Sequence, residues 1–567
     1  MTNPYENPLI VQSDGTILVE VYSPRYNEVR DRLAVFAELV RSPEHIHTYQ
    51  ISPLSLWNAS AMGRPCEEVL ETLREFSKYD VPPHILSDIE TQMGRYGTIR
   101  LVREEDYLVL EVDNEIIFQQ LELNRVLEKF LKPHERPQTF KIHAYDRGEV
   151  KQSLIKLGFP TQDLAGFTPG SHLDIDLVEE TGDGQPFGLR DYQDEALDIF
   201  FAGGSQDGGH GVVVLPCGAG KTVVGIGAMT RAKTSTLVLS TNISACRQWI
   251  REILDKTNLD PEMIGEYSGE SKEIKPITVA TYQVLTHRRS QEDEFSHFSL
   301  FHAANWGLIV YDEVHLLPAP VFRMVGVLQA KRRLGLTATL IREDGLQEDV
   351  FCLIGPKRYD LPWRDLERRG FIAEARCFGV RVPLLPEQRL HYAAATDRQK
   401  IRMAAENENK VNLVRELVSR HADDHILVIG QYVDQLKMLA RELDAPLITG
   451  KTRNAKREEL YDQFRSGEVR LLIVSRVANF AIDLPDANVL IQVSGTFGSR
   501  QEEAQRLGRV LRPKEKHSNF YSLVSRDTRE QDFSLKRQLF LTEQGYRYQI
   551  LTAGANGRLG ETEELLW

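Results

Sequence analysis

The sequence predicts an α/β protein with two tandem doubly wound parallel-sheet lobes, preceded by small α+β accessory domains. Two observations predict this fold. Runs of apolar and β-branched residues alternate with helical patterns twice between residues 184 and 545, as in parallel sheets that are covered by helices. The chain also has 567 residues, which is too long for one hydrophobic core and suggests about three or four domains.

The accessory domains come first in the chain. We expect residues 1–94 to form a helix-rich domain that opens with a hairpin, whose turn contains Asp14 and Gly15. Residues 95–183 combine short strands and helices and predict a second small α/β domain. The Gly-rich and acidic stretch VEETGDGQPFGLR that follows has the composition of a solvated linker.

The two lobes are predicted over residues 184–375 and 376–545, with a C-terminal tail over 546–567. Each lobe has five apolar strand patterns. They are GVVVLP, TLVLST, ITVATY, GLIVYDE and RLGLTA in the first lobe, and HILVIG, APLITG, RLLIVSR, NVLIQVSG and FYSLVS in the second. Such sheets bind ligands outside the carboxyl ends of their strands, so the chemistry is expected there.

Composition and charge leave nucleic acid open as a ligand. The 69 Lys and Arg residues against 82 Asp and Glu residues give a net charge of −13, yet a local basic channel is sufficient for phosphate contacts. No signal peptide or membrane-spanning apolar run is visible, which predicts a cytoplasmic protein without a membrane partner. The five cysteines form no C-x-x-C pair, so neither zinc nor a disulfide framework is expected.

A glycine-rich loop follows the first strand of the first lobe. The segment PCGAGKT lies between GVVVL and a helix with apolar periodicity, which is the context of a phosphate-binding loop rather than of a turn without a ligand. Its glycines allow backbone N–H groups to face phosphate oxygens. Lys221 is predicted to reach the β and γ phosphates of ATP, and Thr222 to hold Mg²⁺. The residues predicted to bind the nucleotide are Pro216, Cys217, Gly218, Ala219, Gly220, Lys221 and Thr222.

Carboxylates and arginines from other segments are predicted to complete this site. At the end of GLIVYDE, Asp312 can hold Mg²⁺ through water and Glu313 can polarise the attacking water. Arg509 and Arg512 share nearly one helix face and are predicted arginine fingers for the γ-phosphate. Gln193 in LRDYQDEAL can donate to and accept from an adenine edge, although a lone Gln before a helix is usually only an exposed polar residue.

The ordered motifs LRDYQ, PCGAGKT, DEVH, GLTAT and QRLGRVLR resemble those of superfamily 2 helicases, whose motors consist of two RecA-like lobes. The segments GLTATLIREDG, SRVANFAIDLPDANVLIQVSG and GSRQEEAQRLGRVLRPK look like the XPB branch. The N-terminal SPEHIHTYQISPLSLWNASAMG and the C-terminal YSLVSRDTREQDFSLKRQLFLTEQGY are similar to that branch too. The resemblance therefore covers nearly the whole chain.

The resemblance implies an ATP-dependent helicase or translocase of 3′-to-5′ polarity that acts on duplex or forked DNA in nucleotide excision repair, with ATP and Mg²⁺ as cofactors. It implies damage recognition by residues 95–183 and a thumb-like segment within residues 385–410. The residues that it implies in strand opening and in coupling hydrolysis to DNA movement are Thr337, Ala338, Thr339, Arg342, Glu343, Asp344 and Asp483.

Several alternatives stay open on the sequence. The chain lacks the long charged extensions of eukaryotic members, which favours a bacterial or archaeal version that works at the nucleoid. A duplex translocase that never separates strands, an ATP-gated DNA-binding scaffold without turnover, and RNA as the substrate are the rival functions. A partner nuclease or repair factor is also left open.

Three further features are predicted to be structural rather than functional. The basic run Lys331 to Arg333 is predicted to be a solvated turn before a strand. Trp249 is predicted to pack against the sheet rather than to stack on a base. His315 is not expected to bind metal, because no second His or Cys lies at ligand spacing, and it is a candidate sensor of the γ-phosphate.

Overall fold

The structure is a computed structural model that describes most of the chain. The described residues are 7–43, 45–105, 107–205, 208–216, 218–287, 296–318, 321, 331–338, 347–371, 374–475, 487–495, 518–544, 546 and 548–559. The chain divides into a first unit of Met1–Glu38, Tyr49–Leu215 and Gly220–Leu361, and a second unit of Leu39–Thr48, Pro216–Ala219 and Pro362–Trp567. No helix among the described residues has the length and apolar character needed to cross a membrane.

The N-terminal region contains a hairpin followed mainly by helices. Its elements are β1 (Leu9–Val11), β2 (Thr16–Glu20), α1 (Tyr26–Leu33), β3 (Glu38–Arg41), β4 (Ile46–Gln50), α2 (Pro53–Ala61), α3 (Cys66–Phe76) and α4 (Pro83–Arg95). β1 and β2 pair antiparallel with Leu9 opposite Val19, and Gly15 has a φ of 78° in their turn. This left-handed conformation favours glycine, and the predicted hairpin is confirmed.

The next region is a small α/β domain with a mixed sheet. Its elements are β5 (Ile99–Glu104), β6 (Tyr107–Val112), α5 (Glu115–Glu122), β7 (Lys132–Pro133), β8 (Thr139–Ile142), α6 (Arg147–Lys156) and β9 (Thr161–Asp163). The strand order is β7-β8-β6-β5-β9. Alternate residues of β5, such as Ile99 and Leu101, are buried against Leu154 of α6 in one hydrophobic core, as expected for a half-buried strand.

The first parallel sheet has seven strands. They are β10 (His210–Val214), β11 (Thr236–Ser240), β12 (Ile264–Tyr267), β13 (Ile277–Thr281), β14 (Leu308–Asp312), β15 (Arg332–Thr337) and β16 (Lys357–Asp360). The helices of this region are α7 (Asp191–Phe201), α8 (Lys221–Ala232), α9 (Ile243–Lys256), α10 (Tyr282–Leu285), α11 (Leu300–Ala303) and α12 (Gln347–Asp349). The strand order is β12-β13-β11-β14-β15-β10-β16, and every adjacent pair is parallel. The central strands are buried along their whole length, which explains their continuous apolar sequences.

The second parallel sheet also has seven strands. They are β17 (Ala375–Val382), β18 (Ile426–Gly430), β19 (Leu447–Ile448), β20 (Leu471–Ser475), β21 (Val489–Gln492), β22 (Ser518–Ser525) and β23 (Tyr548–Thr552). The helices are α13 (Trp363–Arg368), α14 (Pro386–Ala394), α15 (Asp397–Ala405), α16 (Asn409–Arg420), α17 (Val433–Glu442), α18 (Asn454–Arg465) and α19 (Arg529–Glu543). The order is β19-β20-β18-β21-β22-β17-β23, with parallel pairing throughout. The predicted fold class is therefore confirmed.

Two segments add detail to the sequence prediction. The acidic stretch before the first sheet is exposed, as its composition predicts, but it is not a free linker, because the Val178 N–H donates to the Lys256 carbonyl at the end of α9. Gly182 N–H likewise donates to the Asp255 carboxylate at 2.9 Å. In the C-terminal residues that the sequence separates as a tail, β23 pairs with β17 and joins the second sheet. The domain boundaries themselves stay predictions.

Candidate active site

The glycine-rich loop joins a fully buried strand to a helix, as the motif predicts. β10 is buried along all five residues, and α8 begins at Lys221. Gly218 and Gly220 have φ values of 83° and 79°, in the left-handed region that side chains with a Cβ rarely adopt. The Ala219 N–H donates to the Pro216 carbonyl at 3.2 Å. The two glycines therefore have the conformational role that the sequence assigns to them.

Gln193 lies directly beside this loop. A Cβ at Gly220 would lie 2.5 Å from Gln193 Nε2, so only glycine permits this approach. The Gln193 side-chain oxygen Oε1 accepts the Arg190 backbone N–H at 3.0 Å at the start of α7. Gln193 is buried, so it is not the exposed polar side chain that a lone Gln before a helix usually is. Its contact with adenine stays a prediction.

Lys221 and Glu313 face each other at the base of the loop. The distance between Lys221 Nζ and Glu313 Oε1 is 3.5 Å, and both side chains keep a small exposed fraction. Glu313 has a φ of 49°, a costly conformation for a residue with a Cβ that is typical of functional sites. Although burial raises the pKa of the Glu313 carboxyl, the nearby Lys221 and His315 outweigh it and lower that pKa. Glu313 is therefore ionised at neutral pH.

Asp312 has the opposite electrostatic environment. Burial, and then the adjacent Glu313 carboxylate, raise the pKa of Asp312 to about 6. The Trp249 indole N–H donates to Asp312 Oδ2 at 3.0 Å, and the Tyr282 hydroxyl donates to the Asp312 carbonyl at 2.9 Å. A buried carboxylate beside a second carboxylate favours binding of a cation, and oxygen ligands are those that Mg²⁺ prefers. Asp312 thus fits the predicted role, while Thr222 is partly exposed on the first turn of α8.

The last residue of β15 and the residue after it lie beside Glu313 and its neighbour His315. Thr337 Oγ1 and His315 Nδ1 are 2.7 Å apart, and His315 Nδ1 lies 3.5 Å from Glu313 Oε2. The backbone N–H of Ala338 also donates to the Glu313 carboxylate. The structure therefore brings two of the predicted coupling residues to this place: Ala338 onto Glu313, which is predicted to act on water, and Thr337 onto the neighbouring His315.

Trp249 is a site residue that the sequence did not identify as one. It is buried, which confirms the prediction of packing. A Cβ at Gly225 of α8 would lie 2.4 Å from the indole ring, so the small residue lets α8 approach α9 closely. The hydrogen bond from the Trp249 N–H to Asp312 could not be inferred from the sequence because the two residues lie 63 positions apart. The sequence feature that could have indicated the close contact of Trp249 with α8 is Gly225, since a glycine inside a helix indicates close packing.

The basic residues Lys331 to Arg333 do not form the solvated turn that the sequence predicts. β15 begins within this run, at Arg332, and Arg333 is completely buried. The Arg333 guanidinium donates from Nε to the Leu353 carbonyl at 2.8 Å and from Nη1 to the Lys331 carbonyl at 2.6 Å. Main-chain carbonyls therefore accept hydrogen bonds from two nitrogens of a guanidinium group that the sequence pattern assigned to solvent.

Several predicted residues lie outside the described part of the chain, and their roles stay predictions. They are Cys217, Thr339, Arg342, Glu343, Asp344, Asp483, Arg509 and Arg512. The residues that the structure does bring together are Gln193, Gly220, Lys221, Asp312, Glu313, Thr337 and Ala338.

The fold and the site together define a nucleotide-dependent motor of the superfamily 2 helicase class. Comparison with known proteins agrees with this class. Residues 366–565 match the family described as ERCC3/RAD25/XPB C-terminal helicase. Residues 186–342 match the res subunit of type III restriction enzymes, and residues 9–135 match a helicase conserved C-terminal domain.

Full-length relatives make the assignment specific. The DNA 3′-5′ helicase XPB of Kineococcus radiotolerans is 54% identical over 551 residues, which cover 97% of each chain. The protein of the same name from Mycobacterium tuberculosis is 51% identical and covers 97% of this chain and 98% of its own length. The chain belongs to the XPB family of DNA 3′-5′ helicases.

Solved structures include a fragment of a putative HsdR subunit of a type I restriction enzyme from Vibrio vulnificus YJ016. It is 17% identical, with a TM-score of 0.49, and the match covers 66% of this chain and 71% of that chain.

Proposed function

We propose that this chain hydrolyses ATP with Mg²⁺ and uses the energy to move 3′ to 5′ on DNA and to separate its strands in DNA repair. The observation that carries the proposal is the contact of Lys221 with Glu313 beside Asp312, below a glycine loop in the left-handed conformation. Phosphoryl transfer to water needs these parts: a cation for the phosphates, a carboxylate for the metal, and a carboxylate that orients water.

Lys221 changes partners in this mechanism. In the structure, its ammonium group is 3.5 Å from Glu313 Oε1. When ATP binds, the β and γ phosphates offer more negative charge than one carboxylate, so Lys221 turns to them. Glu313, already ionised because its pKa is lowered, is then able to orient the attacking water and accept its proton.

Asp312 and Thr222 would hold the Mg²⁺ ion, in the first case through water. When bound, Mg²⁺ supplies positive charge to the phosphate oxygens. The Trp249 N–H fixes the orientation of the Asp312 carboxylate, and orientation of a ligand by an outer hydrogen bond is a general feature of metal sites. Arg509 and Arg512 are proposed to reach the γ-phosphate and to stabilise charge as it develops.

DNA is proposed to act on hydrolysis through the segment at residues 337–339. Thr337 and Ala338 contact His315 and Glu313, so a shift of this segment on DNA would reposition the carboxylate that orients water. Asp483 is proposed to join DNA contact to the nucleotide site, and Arg342, Glu343 and Asp344 to open strands. Residues 95–183 are proposed to recognise damage, and the nucleoid is the proposed place of action, with a nuclease or repair factor as partner.

A strand-separation assay tests the proposal. Duplex DNA with a 3′ single-stranded tail, duplex DNA with a 5′ tail, and a tailed RNA duplex are each mixed with the protein and ATP. We expect separation of the 3′-tailed DNA only. The variant Glu313→Gln should still bind ATP, but its hydrolysis and strand separation should fall about 10²- to 10⁴-fold, as is usual when a general base is lost.

The rival functions give different results in the same assay. ATP-driven displacement of a triplex strand without separation of any tailed duplex would replace the helicase by a duplex translocase. DNA binding with no hydrolysis by the wild-type protein would leave only the scaffold. Preferential separation of the RNA duplex would contradict DNA as the substrate.

A further inference from the structure

The small α/β domain at residues 95–183 contains a pocket that the motor mechanism does not use. Its volume is about 540 Å³, within the range of ligand pockets, which is about 300–1,000 Å³. α5, the segment from residue 128 to 138, and the start of β8 form its walls.

The floor of the pocket is apolar and aromatic. Phe118 of α5 stacks on Phe140 of β8, with 4.5 Å between ring centroids and an interplanar angle of 15°. Leu131, Pro133 and Pro137 add further apolar surface. Such a floor can bury a large apolar side chain of a ligand, which is the usual energetic centre of a protein contact.

The walls and mouth of the pocket are acidic. Four glutamates line it against one arginine, Arg136. The Arg136 guanidinium is already paired with Glu104 and with Glu111, at 3.2 Å in the second case. It therefore does not neutralise the glutamates of the pocket.

Within the described residues none of the four glutamates forms an ion pair, and three of them also accept no side-chain hydrogen bond. Glu115 accepts from the amides of Gln119 and Gln138 at 3.0 and 2.8 Å. Within the described part of the chain, the exposed carboxylates of Glu122, Glu128 and Glu135 have no ion-pair partner. The site thus combines an aromatic floor with three carboxylates that are free to bind cations of a partner.

α5 also carries exposed apolar residues on a side next to the one that lines the pocket. Ile116 is 76% exposed and Leu123 is 82% exposed. They lie seven positions apart, which is two helical turns, and therefore share one side of α5 and its C-terminal cap. Large apolar side chains that are exposed together often mark interaction sites.

We propose that this pocket binds a basic protein segment, in which a large apolar or aromatic side chain is flanked by Lys and Arg residues. The negative charge of the pocket determines which ligand can occupy it. Free carboxylates repel the phosphates of DNA, and a second copy of this chain has a net charge of −13. The chain's own final residues, GETEELLW, include three glutamates and are not complementary either. A basic partner that docks here would be recruited to the domain without competing for the ATP site.

The test uses the full chain and a fluorescent synthetic peptide with Trp and Leu between Lys and Arg residues. A second peptide has Glu at every basic position. At physiological ionic strength we expect saturable binding of the basic peptide only. The triple variant Glu122→Gln, Glu128→Gln, Glu135→Gln should weaken binding about tenfold, since each exposed pair contributes little alone. Phe118→Leu should weaken it as well, by removing the stacked ring.

A matched variant controls for the general acidity of the protein. Glu71→Gln, Glu90→Gln, Glu348→Gln removes three exposed carboxylates elsewhere in the first unit and should change affinity less than twofold, as surface charges away from the site do. Thermal unfolding checks that each variant is folded. Equal weakening by both triple variants would overturn the proposal. So would loss of duplex DNA binding, or of self-association, on Phe118→Leu, because DNA or a second copy would then occupy the surface.

Discussion

The two parallel sheets have the same topology, but their strand ends differ in chemistry. Numbered along the chain within each sheet, the strands have the order 3-4-2-5-6-1-7 in both. In the first sheet, strand one is followed by the glycine loop and strand five ends at Asp312. In the second, strand one is followed by Pro383 and strand five ends at Gln492. Among the described residues, the same frame therefore carries the glycine loop and the paired carboxylates at these strand ends in the first lobe and not in the second, because the loops and not the sheet define the site.

A lysine and a glutamate pair in each lobe, and the two pairs have different roles. Lys221 and Glu313 are 3.5 Å apart and partly exposed, so a ligand can separate them. Lys410 lies between the two oxygens of Glu530, at 2.9 and 2.8 Å, and also donates to the Val493 carbonyl. It is completely buried. The first pair can exchange partners during a reaction, whereas the second fixes α16 to the start of α19.

The largest predicted effect on stability tests this difference. Lys410→Met removes the cation and leaves the Glu530 carboxylate buried without its partner. Such a change costs about 3–5 kcal/mol. We expect the free energy of opening of β21 and β22, measured by hydrogen exchange, to fall by that amount.

The double variant Lys410→Met, Glu530→Gln is the control for the lysine. It removes the uncompensated charge but keeps an acceptor for the Ser525 N–H, which donates to Glu530 at 2.8 Å. Much of the lost protection should return, since replacement of both charges is often tolerated. If Lys410→Met changed protection no more than an exposed lysine does, the buried pair would not stabilise the second lobe.

An intermediate effect, on Mg²⁺ dependence, is expected at the candidate active site of the first lobe. Trp249→Phe keeps an aromatic ring beside Gly225 but removes the donor to Asp312. Loss of a hydrogen bond that orients a metal ligand typically costs about 10- to 100-fold in metal affinity or activity. We expect the Mg²⁺ concentration for half-maximal ATP hydrolysis to rise by that factor, with activity restored at high Mg²⁺.

Tyr282→Phe is the matched control for that variant. It also removes a hydrogen bond to Asp312, but one to the main-chain carbonyl. A smaller change in Mg²⁺ dependence is expected, because the carboxylate keeps its orientation. Equal effects of the two variants would show that Trp249 acts on the backbone of β14 and not on the carboxylate.

The smallest predicted effect is a pH dependence of stability, which we expect in the first sheet and not in the second. Strand one of the first sheet begins at His210, which is buried, and burial, followed by the charge of Arg358, lowers the pKa of His210 well below 6.5. The unfolded chain takes up this proton below about pH 6.5 whereas the folded chain does not, so stability falls as the pH decreases. The loss is at most about 1.4 kcal/mol per pH unit. Strand one of the second sheet begins at Ala375, which cannot titrate.

Hydrogen exchange of β10 between pH 7 and pH 5 measures this dependence, after correction for the intrinsic exchange rate. His210→Gln should flatten the profile of β10, and β17 should show no contribution of this kind. Asp163 does not interfere in this range. Although burial raises the pKa of Asp163, Arg147 and then Lys151 lower it well below 3.8, so its stabilisation is lost only in stronger acid. A wild-type profile that matches His210→Gln would contradict the assignment.

The sequence predicts most of the inner strands of both sheets and misses most of the edge strands. Five strands of each sheet are visible as apolar runs, but β12 and β16 in the first sheet and β17 and β23 in the second are not. Three of these four lie at sheet edges or contain polar residues on one face, where burial no longer requires a continuous apolar run. β17 has exposed arginines among its buried residues, which conceals it in the same way.

The site follows a similar rule. The glycine loop and the adjacent carboxylates could be predicted because each is contiguous in sequence and because its position at a strand end indicates one kind of chemistry. The hydrogen bonds of Trp249 and of the buried Arg333 could not be, because Asp312 lies 63 residues from Trp249 and Leu353 lies 20 residues from Arg333. Periodicity shows that a residue is buried, but not which polar atom it meets.

Lys221 of the first lobe is proposed to supply the cation that binds the phosphates of ATP. The most direct test is the rate of ATP hydrolysis with and without duplex DNA, at stated salt, for the wild-type protein and Lys221→Ala. We predict DNA-stimulated turnover in the wild type and only background turnover in the variant, with unchanged thermal unfolding because Lys221 is not part of a buried pair. Turnover of Lys221→Ala at the wild-type rate would contradict the account.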